Sequence, residues 1–538
     1  MGAFLTILRG TAHIRADRNG PPSTGRLSGL RPLTRTLAAA ASAAALTLTF
    51  LAVNPLAAAA HPRGIDWGPC PEVDPAEPVE CATIDVPLDY SRPWRGTIEI
   101  GLAKREAANP DEKIGTILMD PGGPGGSGVG SIIDGSPLTG ETAEHFDIVG
   151  FDPRGINTST QVQCSEDALM DALSVPFPTD QETWDAREAA NAALTEDCRE
   201  HTGRLFDHVS NLETVEDMER IRRALGEGRL NYLGYSYGTI MGQQYAEKYP
   251  RHIRTMVLDG NMDHSLESTW DFMRTETAAV EENFVAFADW CESAPECALH
   301  GEDVETVYAG LKAKARAGEL TDPYEGLPLD FIGLAENFTF TANYPQGWPA
   351  LAEEYAAMRD GVLLPGGAGL LQEEEPELFE YLYYPAWCQD WGWEIEDYDE
   401  FATLLGKLAE DSPNVEWTPY NQHALTCVGS GIEHTNERDE LDIPRSAPPI
   451  VFIGNEHDPA TVYPWTLAAA DQADGHLITY EGYFHTIYGG YSTCVDDAVN
   501  AYFVDRETPD AGLSCPNLDF PGALDASSVR DRIANGAF

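Results

Sequence analysis

Short apolar runs ending in Gly or Asp, a helical stretch set between them, and one long interval without strand character predict an α/β fold. The expected architecture is a mostly parallel sheet with helices on both faces and an inserted, mainly helical lid. The runs at 114–119, 146–151, 232–233 and 256–258 read as buried parallel strands. Between the second and third, Val215, Met218, Ile221 and Leu225 recur at helical spacing. After Asp259-Gly260 the strand pattern stops, and it resumes only at 450–453 and 477–480. The expected organisation is therefore a targeting segment at 1–60 and a first core part at 61–260. A lid at 261–444 and a second core part at 445–538 complete it.

The N-terminal segment holds Arg9, Arg15, Arg18, Arg26, Arg31 and Arg35 against one acid, Asp17. An uncharged run at 37–53, Asn54-Pro55 and the small-residue tract Ala57 to Ala60 follow. This reads as a secretory signal, cleaved near Ala60. No Arg-Arg pair occurs in it, which favours a Sec-type route. The run is shorter than the ~20 residues of a membrane span, so the expectation is a secreted chain without stable membrane association.

Among 538 residues, 34 Lys+Arg face 88 Asp+Glu, a net charge of −54. So negative a surface repels phosphate and disfavours nucleic acid as a partner. Its 11 Trp, 21 Tyr and 19 Phe supply a large core, which excludes a disordered acidic tail. Ten cysteines fit an exported protein, and the simplest pairing joins neighbours in order. No Cys-x-x-Cys pair or EF-hand loop occurs, so neither a metal nor a cofactor is expected.

The strand at 97–102 alternates like a half-buried antiparallel strand. Four later loops carry the chemistry. Gly234-Tyr235-Ser236-Tyr237-Gly238 lies between a strand and a helix-like stretch at 239–248, the context of a nucleophile elbow. The turn projects the Ser236 hydroxyl above the sheet. A Cβ at Gly234 or Gly238 would strike the neighbouring strand and helix. The loop Asp120-Pro121-Gly122-Gly123-Pro124-Gly125-Gly126-Ser127-Gly128 follows the 114–119 strand. It is expected to supply one oxyanion-hole N–H from Gly123, with Tyr237 supplying the other. Pro124 has no N–H, and no Gly-Lys-Ser/Thr follows to suggest a phosphate loop. The order Ser, acid, His then selects Asp458, after the 450–453 strand, and His485, after the 477–480 strand. Glu456 is the alternative acid; His457 and His476 are the rival bases. Ser236, Asp458 and His485 in these roles predict acyl transfer through an acyl-enzyme.

These motifs make the chain similar to the secreted actinobacterial tripeptidyl aminopeptidases, relatives of prolyl aminopeptidase in the α/β-hydrolase superfamily. The resemblance covers nearly the whole chain after the signal. It includes Ile65-Asp66-Trp67-Gly68-Pro69-Cys70, Asp152-Pro153-Arg154-Gly155, the elbow with Thr239, Asp458-Pro459-Ala460-Thr461 and His485-Thr486. In the tail it implies a pair between Cys494 and Cys515. Two positions depart from it: Val462 stands where Pro is usual, and Phe484 where Gly commonly precedes the histidine.

The resemblance implies release of short peptides, such as tripeptides, from free N-termini; a monomer is expected. A lid carboxylate is needed to receive the substrate's ammonium group. A secreted carboxylesterase or lipase with the same triad is the alternative. Trp348, Trp387, Trp391 and Trp393 either line a pocket or pack the lid.

Overall fold

In chain order the strands are β1 (Gly68–Pro69), β2 (Glu80–Pro87), β3 (Thr97–Arg105), β4 (Gly115–Asp120), β5 (Phe146–Phe151) and β6 (Gln163–Ser165). They continue as β7 (Leu230–Tyr235), β8 (Ile253–Asp259), β9 (Leu378–Glu380), β10 (Val451–Asn455), β11 (His476–Glu481) and β12 (Leu513–Pro516). The structure is a computed structural model that describes residues 64–71, 73–74, 77–342, 344–365 and 378–517. The predicted signal lies outside these residues, as does the acidic run Glu373-Glu374-Glu375. Among the described residues, ten strands form one sheet in the order β1-β2-β3-β5-β4-β7-β8-β10-β11-β12. The pairs from β5 through β12 are parallel, and β1 to β3 extend the sheet antiparallel.

Alternation along the strands explains why both faces are covered. Leu118, Val149, Tyr232, Leu258 and Phe452 enter one apolar cluster. Their chain neighbours Ile117, Ile148, Leu233, Val257 and Ile453 enter another. The helix Asn211–Ala224 covers the first face with Val215, Met218 and Ile221, as its spacing predicts. The helix Thr493–Asp505 covers the second with Val495, Val499 and Phe503. The expected strands at 97–102, 114–119, 146–151, 232–233, 256–258, 450–453 and 477–480 all fall in this sheet, and its two covered faces explain the continuous apolar runs among them.

Residues 261–444 carry the helices Thr269–Ser293, Val304–Arg316, Phe331–Ala342, Trp348–Asp360, Tyr383–Trp391 and Tyr398–Asp411. A second helical segment, Glu166–Ser174 and Gln181–Thr202, packs on them. The Trp184 and Phe401 rings lie tilted with centres 5.4 Å apart, and Asn191 Nδ2 donates to the Leu425 and Val428 carbonyls. β6 pairs with β9 across the same seam. Together these segments make a cap. The four tryptophans are packing residues: Trp387, Trp391 and Trp393 lie in one buried cluster with Phe272 and Trp465, and Trp348 lies in another. No helix among the described residues is long and apolar enough to cross a membrane.

The ten cysteines form Cys70–Cys81, Cys164–Cys198, Cys291–Cys297, Cys388–Cys427 and Cys494–Cys515. Each joins chain neighbours, as expected. The last ties the helix Thr493–Asp505 to the edge strand β12.

Candidate active site

Parallel strands end on one edge of the sheet, so their following loops meet there. Register places Asp120 of β4 beside Gly234 of β7, Tyr235 beside Asp259 of β8, and Asp259 beside Ile453 of β10. At that edge Ser236 takes a left-handed backbone, φ 52°, which costs about 1–2 kcal/mol for a non-glycine residue. Its N–H donates to the Asp259 carbonyl at 2.9 Å, and the helix Gly238–Lys248 begins two residues on. A Cβ on Gly234 would lie 2.7 Å from the Gly238 carbonyl oxygen, and one on Gly238 2.8 Å from Asp120 Oδ1. The elbow expected from sequence is present.

The glycine-rich loop touches it. A Cβ on Gly122 would come within 2.8 Å of the Tyr237 nitrogen and 2.9 Å of Ser236 Cβ. Gly122 N–H donates to Asp120 Oδ1 at 2.8 Å, so that donor is spent. Gly123, exposed at φ 117°, is the next N–H in the loop. Burial pushes the Asp120 carboxyl up to about 8, although the Gly122 N–H pulls it down. The far end of the loop is held by Asp152, whose Oδ1 accepts from Ser127 Oγ and Val129 N–H.

The structure brings Asp458 and His485 together. His485 Nδ1 lies 3.1 and 3.0 Å from the two Asp458 oxygens. Asp458 is 1% exposed and also accepts from Ala460 N–H, Thr461 N–H and the Thr461 hydroxyl. That hydroxyl lies 3.3 Å from His485 Nδ1, so it braces both partners. Burial lowers the His485 pKa, but the charge and hydrogen bond of Asp458, with Asp259 beyond, raise it above the ordinary histidine value. With Nδ1 committed to Asp458, Nε2 is left as the basic nitrogen.

The rivals point elsewhere. Glu456 is exposed. The His457 ring stacks on Tyr483 at 4.4 Å. His476 opens β11 at the other end of the strand. Ser236 and His485 each lie against the Asp259-Gly260 turn. Asp259 takes the Ser236 N–H, and a Cβ on Gly260 would be 3.4 Å from His485 Cε1.

The cap adds a carboxylate. Glu276 projects from the helix Thr269–Ser293, is 1% exposed, and has no hydrogen-bond partner for Oε2. Burial pushes its pKa well above the ordinary value, and the nearby Asp458 charge pushes it further. Asn283, two turns along the same helix, donates to the carbonyl of His457, next to Asp458. Tyr383 and Tyr420 also feel the Glu276 charge. This arrangement has the parts of an acyl-transfer site with a buried carboxyl, one oxygen unpaired, on its cap side.

Comparison with known proteins fits this geometry. A family described as the alpha/beta hydrolase fold matches residues 115–488. The chain belongs to the alpha/beta hydrolase fold family. This α/β hydrolase is 27% identical over 481 residues to the tripeptidyl aminopeptidase of Streptomyces lividans, covering 85% of this chain and 88% of that one. It is 28% identical over 487 residues to serine protease Hip1 of Mycobacterium tuberculosis, with 84% and 91% covered. It is 30% identical over 475 residues to carboxylesterase B of the same species, with 84% and 89% covered. It is a serine hydrolase that resembles tripeptidyl aminopeptidases.

Three residues of the α/β-hydrolase site escaped the sequence reading. Thr461 was only part of a matching motif; its spacing of three from Asp458 is the signal of a side chain folding back on its own turn. Asp259 looked like a strand terminator. Glu276 is one of 88 acids, and only the rotation of its helix turns it inward.

Proposed function

We propose that the protein is a secreted serine exopeptidase that releases short peptides, such as tripeptides, from free N-termini. The catalytic residues are Ser236, Asp458 and His485. His485 Nε2 takes the Ser236 proton as Oγ attacks the scissile carbonyl. Asp458 fixes the imidazole tautomer and stabilises the imidazolium. The tetrahedral oxygen is held by the Gly123 and Tyr237 N–H groups. His485 then protonates the leaving amine, and water hydrolyses the acyl-enzyme by the same path reversed.

The observation that carries the exopeptidase reading is Glu276. A buried carboxyl without a partner is costly, and a ligand cation relieves that cost. An arriving α-ammonium pairs with it and draws it back to carboxylate. Esters need no such anchor. The relative named carboxylesterase B keeps the esterase as the second reading. Export is supported by the basic N-terminal segment and the five disulfides.

The test is one chromogenic tripeptide amide with a free or an acetylated N-terminus, beside a p-nitrophenyl ester. The free form alone should be cleaved efficiently among the amides. Glu276→Gln should lower its kcat/KM by about 30-fold or more and leave ester turnover within about threefold. Cleavage of the ester but of neither peptide would replace the peptidase with the esterase.

A further inference from the structure

The mechanism above uses one carboxylate beside the histidine, but the site holds two. Asp259 ends β8, is fully buried, and divides its two oxygens unequally. Oδ2 accepts the N–H groups of Ile487 and Tyr488, both at 2.8 Å. Oδ1 is buried with no hydrogen-bond partner. The backbone carbonyl of the same residue takes the Ser236 N–H, and the next residue, Gly260, lies against the imidazole. One residue thus touches the nucleophile's backbone and the loop that carries the base.

We propose that Asp259 is a positioning residue for His485: it clamps the histidine loop through Ile487 and Tyr488 and sets a second negative charge behind the imidazole. The inference rests on His485 acting as the base. Two neighbours of His485 need a clamp, because Phe484 and Thr486 both take left-handed backbones, φ 97° and 62°. Side chains do not hold those angles unaided. Two hydrogen bonds to one fixed carboxylate hold that conformation.

Charge reinforces the clamp. His485 faces Asp458 from the acid loop and Asp259 from β8, and both favour the imidazolium. Asp259 in turn faces Tyr235 on β7, Tyr488 on the histidine loop, Asp458 and His485. Glu276 on the cap faces Asp458. Burial pushes the Asp259 carboxyl up to about 7, against the pull of the Tyr488 and Ile487 N–H groups and of His485. The carboxyl raises the imidazole pKa and the imidazole lowers that of the carboxyl, so the two titrations are coupled.

Asp259→Asn tests this, because an amide oxygen still accepts both N–H groups while the charge is gone. Loss of the anion lowers the His485 pKa. The acid limb of kcat/KM should move to lower pH by about half a unit to one unit, with kcat at the plateau falling about tenfold. A purely structural Asp259 would lower the melting temperature and leave the limb in place, and that result overturns the proposal. Should Asp259→Asn fail to fold, the wild-type enzyme carrying 13C at histidine Cε1 gives a second readout. The His485 signal, assigned by its loss in His485→Asn, should titrate more broadly than a single isolated group. A simple one-proton curve would overturn the coupling. Wild-type activity in His485→Ala would sink the base assignment itself, an outcome distinct from either.

Discussion

Asp458 and Glu276 are both carboxylates at 1% exposure, one on the core side of the site and one on the cap side, yet they are treated in opposite ways. Asp458 accepts from two backbone N–H groups, a hydroxyl and the imidazole. Glu276 has one oxygen with no partner at all. A buried carboxylate whose oxygens both accept hydrogen bonds holds its neighbours in place; a buried carboxyl with an unpaired oxygen is destabilising until something cationic arrives. In the proposed reading the core side is finished before substrate binds, and the cap side is completed by it. That division matches an enzyme whose chemistry is generic to its fold and whose selectivity is its own.

Breaking the finished side should cost most. Ser236→Ala should cut kcat by roughly 10⁵-fold or more, and Asp458→Asn by about 10⁴-fold, since the amide favours the wrong imidazole tautomer. Both should leave far-UV circular dichroism unchanged. Stopped assays on purified protein decide it, and a loss below about tenfold in either variant would remove that residue from the triad. The acid limb of the wild-type profile should also lie above pH 6.5, because the His485 pKa is raised and only the neutral imidazole is a base. A midpoint below 6.5 would mean that burial outweighs Asp458.

The unfinished side makes a prediction of opposite sign in stability. The folded-state pKa of Glu276 is above its unfolded value, so the folded protein holds that proton more tightly. Stability is then lost as pH rises from the unfolded value through the folded one. Glu276→Gln has no proton to lose. Its melting temperature should match wild type near pH 4.5 and exceed it by about 2 °C or more at pH 8, while activity on free peptides falls. A variant less stable at every pH would make Glu276 a packing residue and erase the contrast with Asp458.

The finished side was also the legible side. An elbow, a glycine loop, an acid turn and a histidine turn are local in sequence, each fixed by the strand before it. The cap was harder because its logic is not periodic. Gln181–Thr202 buries Arg187, Asn191 and Thr195 beside Trp184, Leu194 and Cys198, so its inward face reads as polar. Asn191 is inward because it bonds carbonyls of a segment more than 230 residues away. β2 was passed over because it carries polar residues and ends in a proline, and β12 because it has four residues with one buried. Such elements exist through partners that are distant in sequence, and single-chain patterns do not record them.

Phe484 lies where the two sides touch, and it gives the smallest and sharpest test. It belongs to the histidine loop of the core, is 5% exposed, and meets the cap residue Tyr344 with ring centres 5.1 Å apart. Its backbone sits at φ 97°, a conformation that suits glycine. Phe484→Gly would relieve about 1–2 kcal/mol of strain, but it forfeits roughly 3 kcal/mol of ring burial and adds backbone entropy to the unfolded chain. The net expectation is a loss of about 1–3 kcal/mol. Turnover should stay within about threefold, because the loop remains held by Asn455 Nδ2 on the Phe484 carbonyl and by Asp259. Thermal melting and kcat/KM measured on the same preparation separate the two effects. A more stable variant would show that strain outweighs the contact between core and cap. A catalytically dead one would show that the cap, through Phe484, also holds the base.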